Sequence, residues 1–156
     1  MQNESFDICV KILPKVINEL KDFQLTNNFE KEYGGILIGL FDVKENAYII
    51  TDITWPQKED IQKKFRFIRK DPIHQSIMDD LWKKSDCLKC YMGEWHSHRE
   101  AYPSPSYVDR KSWQKSARRQ NNFDVSFFII VGRKEIWCWI SDGVKIIKTD
   151  IYEKGD

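Results

Sequence analysis

The sequence predicts a mixed α/β fold, a sheet of largely consecutive strands with helices packed on it. Three observations lead there. Apolar runs of strand length recur along the chain, three of them in succession near its C-terminal end. Between them lie segments whose apolar residues return at helical spacing. No repeat, low-complexity tract or Pro/Gly/Ser linker interrupts the 156 residues, so one domain covering residues 1–156 is expected.

Taken in order, residues 6–13 alternate enough to form a first strand. Pro14 suits the first turn of a helix, and Val16, Ile17, Leu20 and Phe23 continue it on one face. Gly34-Gly35-Ile-Leu-Ile-Gly39-Leu-Phe41 reads as a buried strand whose glycines let something approach its backbone closely. Residues 48–55 are its expected partner across a turn at 44–46. Residues 57–70 are polar and basic, with Phe65 and Phe67 two apart. Pro72 then opens an amphipathic helix carrying Ile73, Ile77, Leu81 and Trp82, and residues 88–95 form a strand running into His96-Ser97-His98. Ser104-Pro105 starts a helix that reaches Arg119. Three strands, 123–131, 135–141 and 144–152, finish the chain, with Asp142-Gly143 as a turn.

Composition narrows the function classes. The chain is 41% hydrophobic and 31% charged, which is globular rather than disordered. A formal net charge of +1 gives no electrostatic footprint for nucleic acid or an anionic membrane. The polar start, Met1 to Asp7, lacks the basic and apolar regions of a signal peptide, and no apolar run has the length of a membrane span. An intracellular, soluble protein is expected. Of the four cysteines, Cys87 and Cys90 have the spacing of half a zinc knuckle with no second half, while Cys9 and Cys138 lie in apolar stretches. All four read as structural thiols.

Two of the only three histidines form His96-Ser97-His98. On a strand, residues two apart share a face at about 6.6 Å, so both imidazoles can converge on one ion. A catalytic zinc takes three protein ligands and keeps one position open. Asp109, in the first turns of the following helix, is the candidate third ligand, and Ser106, three residues earlier, shares its helix face. Each piece also has a plainer reading. Ser-x-x-Asp at a helix start is ordinary capping chemistry, and His74, outside this cluster, reads as structural.

His96-x-His98-x7-Ser106-x-x-Asp109 resembles the JAMM signature of the JAB/MPN metallopeptidases without a gap. Glu32-Tyr-Gly-Gly35-Ile-Leu37-Ile-Gly39 resembles the family's upstream glutamate segment. The wider run Tyr91-Met-Gly-Glu94-Trp95-His96, with Phe65-x-Phe67-x-Arg69 and Leu81-Trp82, is similar to a bacterial stand-alone branch found in type II CBASS anti-phage operons. The resemblance implies a single JAB/MPN domain with a mixed, mostly antiparallel curved sheet flanked by helices, an architecture like that of cytidine deaminases. It implies one zinc per chain held by His96, His98 and Asp109, with Glu32 as general base and Ser106 stabilising the oxyanion. It also implies a cytoplasmic isopeptidase of anti-phage signalling. Its substrate would be a conjugated protein, a cGAS-like nucleotidyltransferase, made beside a ubiquitin-activating-and-conjugating-like protein.

Other readings compete with this one. A zinc deaminase needs its Cys-x-x-Cys after the His-x-Glu, and here Cys87-x-x-Cys90 precedes His98-Arg-Glu100. An inactive MPN scaffold that only binds a partner is the alternative, although such domains commonly lose a ligand and this chain keeps all of them. The basic stretch Lys63–Lys70 reads first as an edge strand protected by charge. Its functional reading is a docking edge, with Phe65, Arg66 and Phe67 meeting an extended substrate tail.

Overall fold

The computed structural model of the chain describes residues 6–119 and 122–155, so residues 1–5 of the polar start lie outside the described residues. Its elements are β1 (Val10–Ile12), α1 (Pro14–Thr26), β2 (Gly34–Asp42), β3 (Ala47–Ile53), β4 (Ile61–Lys63), β5 (Arg66–Ile68), α2 (Ile73–Lys84), β6 (Cys90–Ser97), α3 (Tyr107–Arg119), β7 (Ser126–Val131), β8 (Ile136–Ser141), β9 (Ile146–Thr149) and β10 (Tyr152–Glu153). Eight strands form one mixed sheet in the order β10-β1-β3-β2-β6-β7-β8-β9, and β4 with β5 forms a separate hairpin.

Consecutive strands pair antiparallel in β2–β3 and β7–β8–β9, and β2 also pairs antiparallel with the distant β6. Elsewhere the sheet is built by crossovers. β6 and β7 run parallel across α3, and β1 lies parallel to both β3 and β10. The expected strand 144–152 is two strands. Asp142 Oδ1 accepts the N–H groups of Val144 and Lys145, which delays pairing until Ile146. The chain then leaves β9 at one edge and enters β10 at the other, with only Asp150 and Ile151 between them. Three peptide steps reach at most about 11 Å, so the sheet has to curl until its two edges nearly meet. At the start of the chain, β1 is shorter than the expected 6–13 strand, because β3 begins after the 44–46 turn and offers residues 6–8 no partner.

Strand alternation sorts the apolar residues into two faces. Leu37, Ile50, Trp95 and Ile129 pack under α1 through its Val16, Leu20 and Phe23. On the opposite face Ile36 and Ile38 meet Met78 of α2, while Phe128, Ile130 and Trp139 meet Trp113 of α3. The Trp113 ring stacks on Phe128 at 4.8 Å between centroids. The stripe of α2 differs from the expected one. His74 and Met78 are the buried residues, with Ile77 and Leu81 beside them, whereas Ile73 and Trp82 are exposed.

The basic stretch is not an edge strand of the sheet. It folds back on itself as β4–β5, with Lys64 and Phe65 at the tip. Cys138 is buried, which pushes its thiol up to about 12, while Cys87 is exposed in the turn after α2 and all four cysteines are free. Among the described residues no helix is long and apolar enough to cross a membrane.

Candidate metal centre and active-site cleft

His96 is the penultimate residue of β6 and His98 lies just beyond that strand. Trp95 and Ser97 are buried, and the His96 ring turns towards α3, 6.2 Å from the Trp113 ring. Ser97 has its own task between the two histidines. Its Oγ accepts the Tyr33 N–H at 2.9 Å, and its N–H donates to the Tyr33 carbonyl at 2.9 Å. This double link holds the loop before β2 against the end of β6, and so places Glu32 beside the imidazoles.

The two Nε2 atoms of His96 and His98 are 3.0 Å apart. Asp109 sets Oδ1 3.3 Å from His96 Nε2 and Oδ2 3.2 Å from His98 Nε2. Ligands bound at 2.0–2.1 Å to one tetrahedral zinc stand about 3.3 Å from each other. The donors therefore have the spacing and the chemical types that such an ion requires. Glu32 Oε1 is farther away, 3.9 Å from His98 Nε2, yet ligand atoms of Glu32, His96 and His98 all lie within 4.8 Å of one another. These residues fit a metal ion.

The charges agree with that fit. Burial pushes the Glu32 carboxyl above the usual range; His96 and His98 pull it back only in part, and Asp109 adds to the rise. Burial would raise Asp109 too, but hydrogen bonds from His96 and His98 outweigh it and hold the carboxyl well below the usual range. Burial would lower His98, but the bond and charge of Asp109, then Glu100, raise it. Two carboxylates thus favour positive charge at one point between the imidazoles, where a proton and a metal ion compete.

Ser106 and Asp109 form a reciprocal cap at the start of α3. The Asp109 N–H donates to Ser106 Oγ at 3.0 Å, and the Ser106 N–H donates to Asp109 Oδ2 at 2.9 Å. Capping and site-building are therefore one arrangement, since the cap aims the Asp109 carboxylate at the histidines.

A sequence model of the prokaryotic homologs of the JAB domain matches residues 21–142 of this chain. The chain belongs to the prokaryotic JAB family. It is similar to an Escherichia coli protein named CD-NTase/cGAS isopeptidase, at 34% identity over 95% of this chain and 88% of that one. A Vibrio cholerae protein of the same name is 31% identical over 84% of this chain and 81% of that one. In fold it is similar to a Desulfitobacterium hafniense protein solved in solution, with a TM-score of 0.64, 17% identity and coverage of 94% of both chains.

In this JAB-family chain the centre lies in a cleft of about 460 Å³, with Glu32, His96, Ser106 and Asp109 in its lining. The hairpin supplies the facing wall, and Phe65, Arg66 and Phe67 all border the cleft. Gly34, paired with His96 across β2–β6, makes room for this wall, since a Cβ there would collide with the Phe67 ring. The hairpin also grips Glu32 directly. The Glu32 N–H donates to the Lys63 carbonyl at 2.8 Å, and Gln62 Nε2 donates to the Glu32 carbonyl at 3.1 Å.

Sequence reasoning missed two contributors. Glu100 Oε1 sits 3.0 Å from His98 Nδ1 and fixes the orientation of that ring. The His-x-Glu spacing was its only signal. Glu94, also in the cleft lining, pairs with Arg69 at 2.9 Å and accepts from Tyr91 Oη and Ser116 Oγ, both at 3.2 Å. This ties the hairpin, β6 and α3 together.

Proposed function

We propose that this chain is a zinc-dependent isopeptidase that releases a conjugated protein, a cGAS-like nucleotidyltransferase, from the target joined to its C-terminus. The observation that carries the reading is the convergence of His96, His98 and Asp109 at 3.0–3.3 Å with Glu32 beside them in an open cleft. The names of the Escherichia coli and Vibrio cholerae relatives support the substrate class.

His96, His98 and Asp109 would hold the ion. A bound zinc would supply Lewis acidity for the scissile carbonyl and the attacking water. Glu32 takes the proton of the attacking water on a carboxylate whose burial makes it a stronger base than an exposed one, then hands it to the departing lysine amine. Ser106 Oγ already accepts the Asp109 N–H, which leaves its hydroxyl proton free to donate to the oxyanion. An extended tail would lie along β5, where Phe65, Arg66 and Phe67 line the cleft. The ubiquitin-activating-and-conjugating-like protein would make the bond that this chain cuts, in the bacterial cytoplasm during anti-phage signalling.

Glu32→Gln tests the assignment of roles. It should leave close to one zinc per chain while lowering kcat at least about a thousandfold on a nucleotidyltransferase–reporter fusion. His96→Ala should lose the metal. Metal loss in Glu32→Gln would make Glu32 a ligand, and full turnover in it would remove the base. Equal cleavage of di-ubiquitin and the fusion would sink the substrate class.

A further inference from the structure

The hairpin β4–β5 is anchored to the body by buried polar groups that the reaction does not use. A two-stranded hairpin is marginal by itself, so its position depends on those anchors. Asp60 is the hub. One carboxylate oxygen accepts the Gln57 N–H at 2.8 Å and faces His74 Nε2 at 2.6 Å. The other accepts the N–H groups of Lys70 and Asp71 at 2.8 and 2.9 Å. Residues 57–60 lead into β4 and residues 69–71 leave β5, so this one side chain cinches both ends of the hairpin.

His74 carries the tie into the sheet. Its Nδ1 lies 2.6 Å from Thr54 Oγ1, and the same oxygen accepts the Ile36 N–H of β2 at 2.9 Å. The Asp60 carboxylate only accepts, so Nε2–H donates to it, and the Thr54 hydroxyl, which accepts the Ile36 N–H, has its proton available for Nδ1. The side chains of His74 and Asp60 are both 0% exposed. An apolar residue would fill this α2 position as Met78 does one turn later, without the cost of burying an imidazole. What histidine adds is a directed link between β2 and the hairpin.

We propose that His74, acting through Asp60, is a positioning residue that sets the substrate-facing wall of the cleft by fixing the β4–β5 hairpin to β2. The proposal rests on the isopeptidase reading for its kinetic consequence. The Glu32 backbone is hydrogen-bonded to the hairpin at Lys63 and Gln62, but the Tyr33–Ser97 pair beside it also holds it and stays in place when the hairpin loosens. Substrate binding therefore weakens more than proton transfer.

The test compares wild type, His74→Ala, His74→Gln and Asp60→Asn as zinc-loaded full-length chains. The probe is a cGAS-like nucleotidyltransferase fused through its C-terminus to a fluorescent protein. His74→Ala should raise KM about tenfold with kcat within about threefold, and should speed amide exchange in residues 61–68 but not in β7. His74→Gln, which keeps a donor and an acceptor on one planar group, should recover most of both effects. A purely structural role would lower the melting temperature and leave KM and the local exchange pattern alone. Folded His74→Ala with wild-type KM and wild-type exchange at 61–68 overturns the proposal. If His74→Ala does not fold, Asp60→Asn is read by the same criteria. Should wild type cleave nothing, the isopeptidase reading falls, while exchange at 61–68 still decides whether His74 holds the wall.

Discussion

Replacing Glu100 by alanine tests the metal centre through a residue that touches no substrate. Glu100 Oε1 is bonded to His98 Nδ1 at 3.0 Å and accepts the Ser104 N–H at 3.3 Å, and its side chain is 52% exposed. Carboxylates behind a ligating histidine are worth roughly 10–100-fold in metal affinity. Water can reach His98 Nδ1 once this half-exposed carboxylate is gone, so the loss belongs at the lower end, about tenfold or about 1.4 kcal/mol. The fold should be indifferent, since the Glu100 carbonyl still accepts the Arg133 N–H at 2.8 Å. Titration of the apo protein with zinc against a chromogenic chelator measures the effect. The expected order of affinity is wild type, then Glu100→Gln, which keeps the acceptor without its charge, then Glu100→Ala. A dissociation constant within twofold of wild type in Glu100→Ala would refute the orienting role. Complete loss of metal would mean that Glu100 is itself a ligand.

Three other outcomes are expected. Gly93, at φ +151°, is paired with Phe127 across β6–β7, and a Cβ there would collide with the Phe127 carbonyl. Gly93→Ala should therefore cost more than about 4 kcal/mol in denaturant unfolding, with Gly155→Ala, whose Cβ meets nothing within 4 Å, as the neutral control. Burial would raise Asp60, but its bonds to His74 and the backbone bring it down to about 2, below its ordinary 3.8. Its contribution, about 2 kcal/mol, is present in full above about pH 4 and is lost as pH falls through 2. The stability gap between wild type and Asp60→Asn should shrink over that window, and a gap independent of pH would contradict the assignment. Phenanthroline should abolish cleavage and added zinc restore it, whereas alkylation of the exposed Cys87 should leave turnover intact. Inactivation by alkylation with zinc retained would point to a thiol nucleophile.

The parts of this molecule that were legible in the sequence are those set by short-range geometry. His96 and His98 share a strand face, and Ser106 and Asp109 share a helix turn, at spacings that the backbone alone imposes. The paired glycines 34 and 35 announced a close approach before anything named the Phe67 ring as its partner. What stayed hidden depends on partners distant in the chain. The split at Asp150–Ile151 is invisible locally, because only curling of the sheet brings β10 to β1. The hairpin was misread as a sheet edge for a related reason, since its alternation and charge are those of any exposed strand. Its true attachment runs through Asp60 and His74, fourteen residues apart, to Thr54 and Ile36.

His74 reads as structural in the sequence, and the structure shows what it holds. On the helical pattern it is a polar intruder between Ile73 and Ile77, and the sequence offers no reason to prefer it to leucine. Only the two bonds at 2.6 Å supply one. In the proposed function the five signature residues hold the ion and move the proton, but none of them forms the wall opposite. That wall is a marginal hairpin held by buried side chains outside the signature. The candidate centre is thus written in two short segments, while the wall depends on scattered polar contacts, two of which reach the Glu32 backbone. Substitutions in the motif should abolish turnover, whereas substitutions in the Asp60–His74 tie should change which tails are held and how tightly.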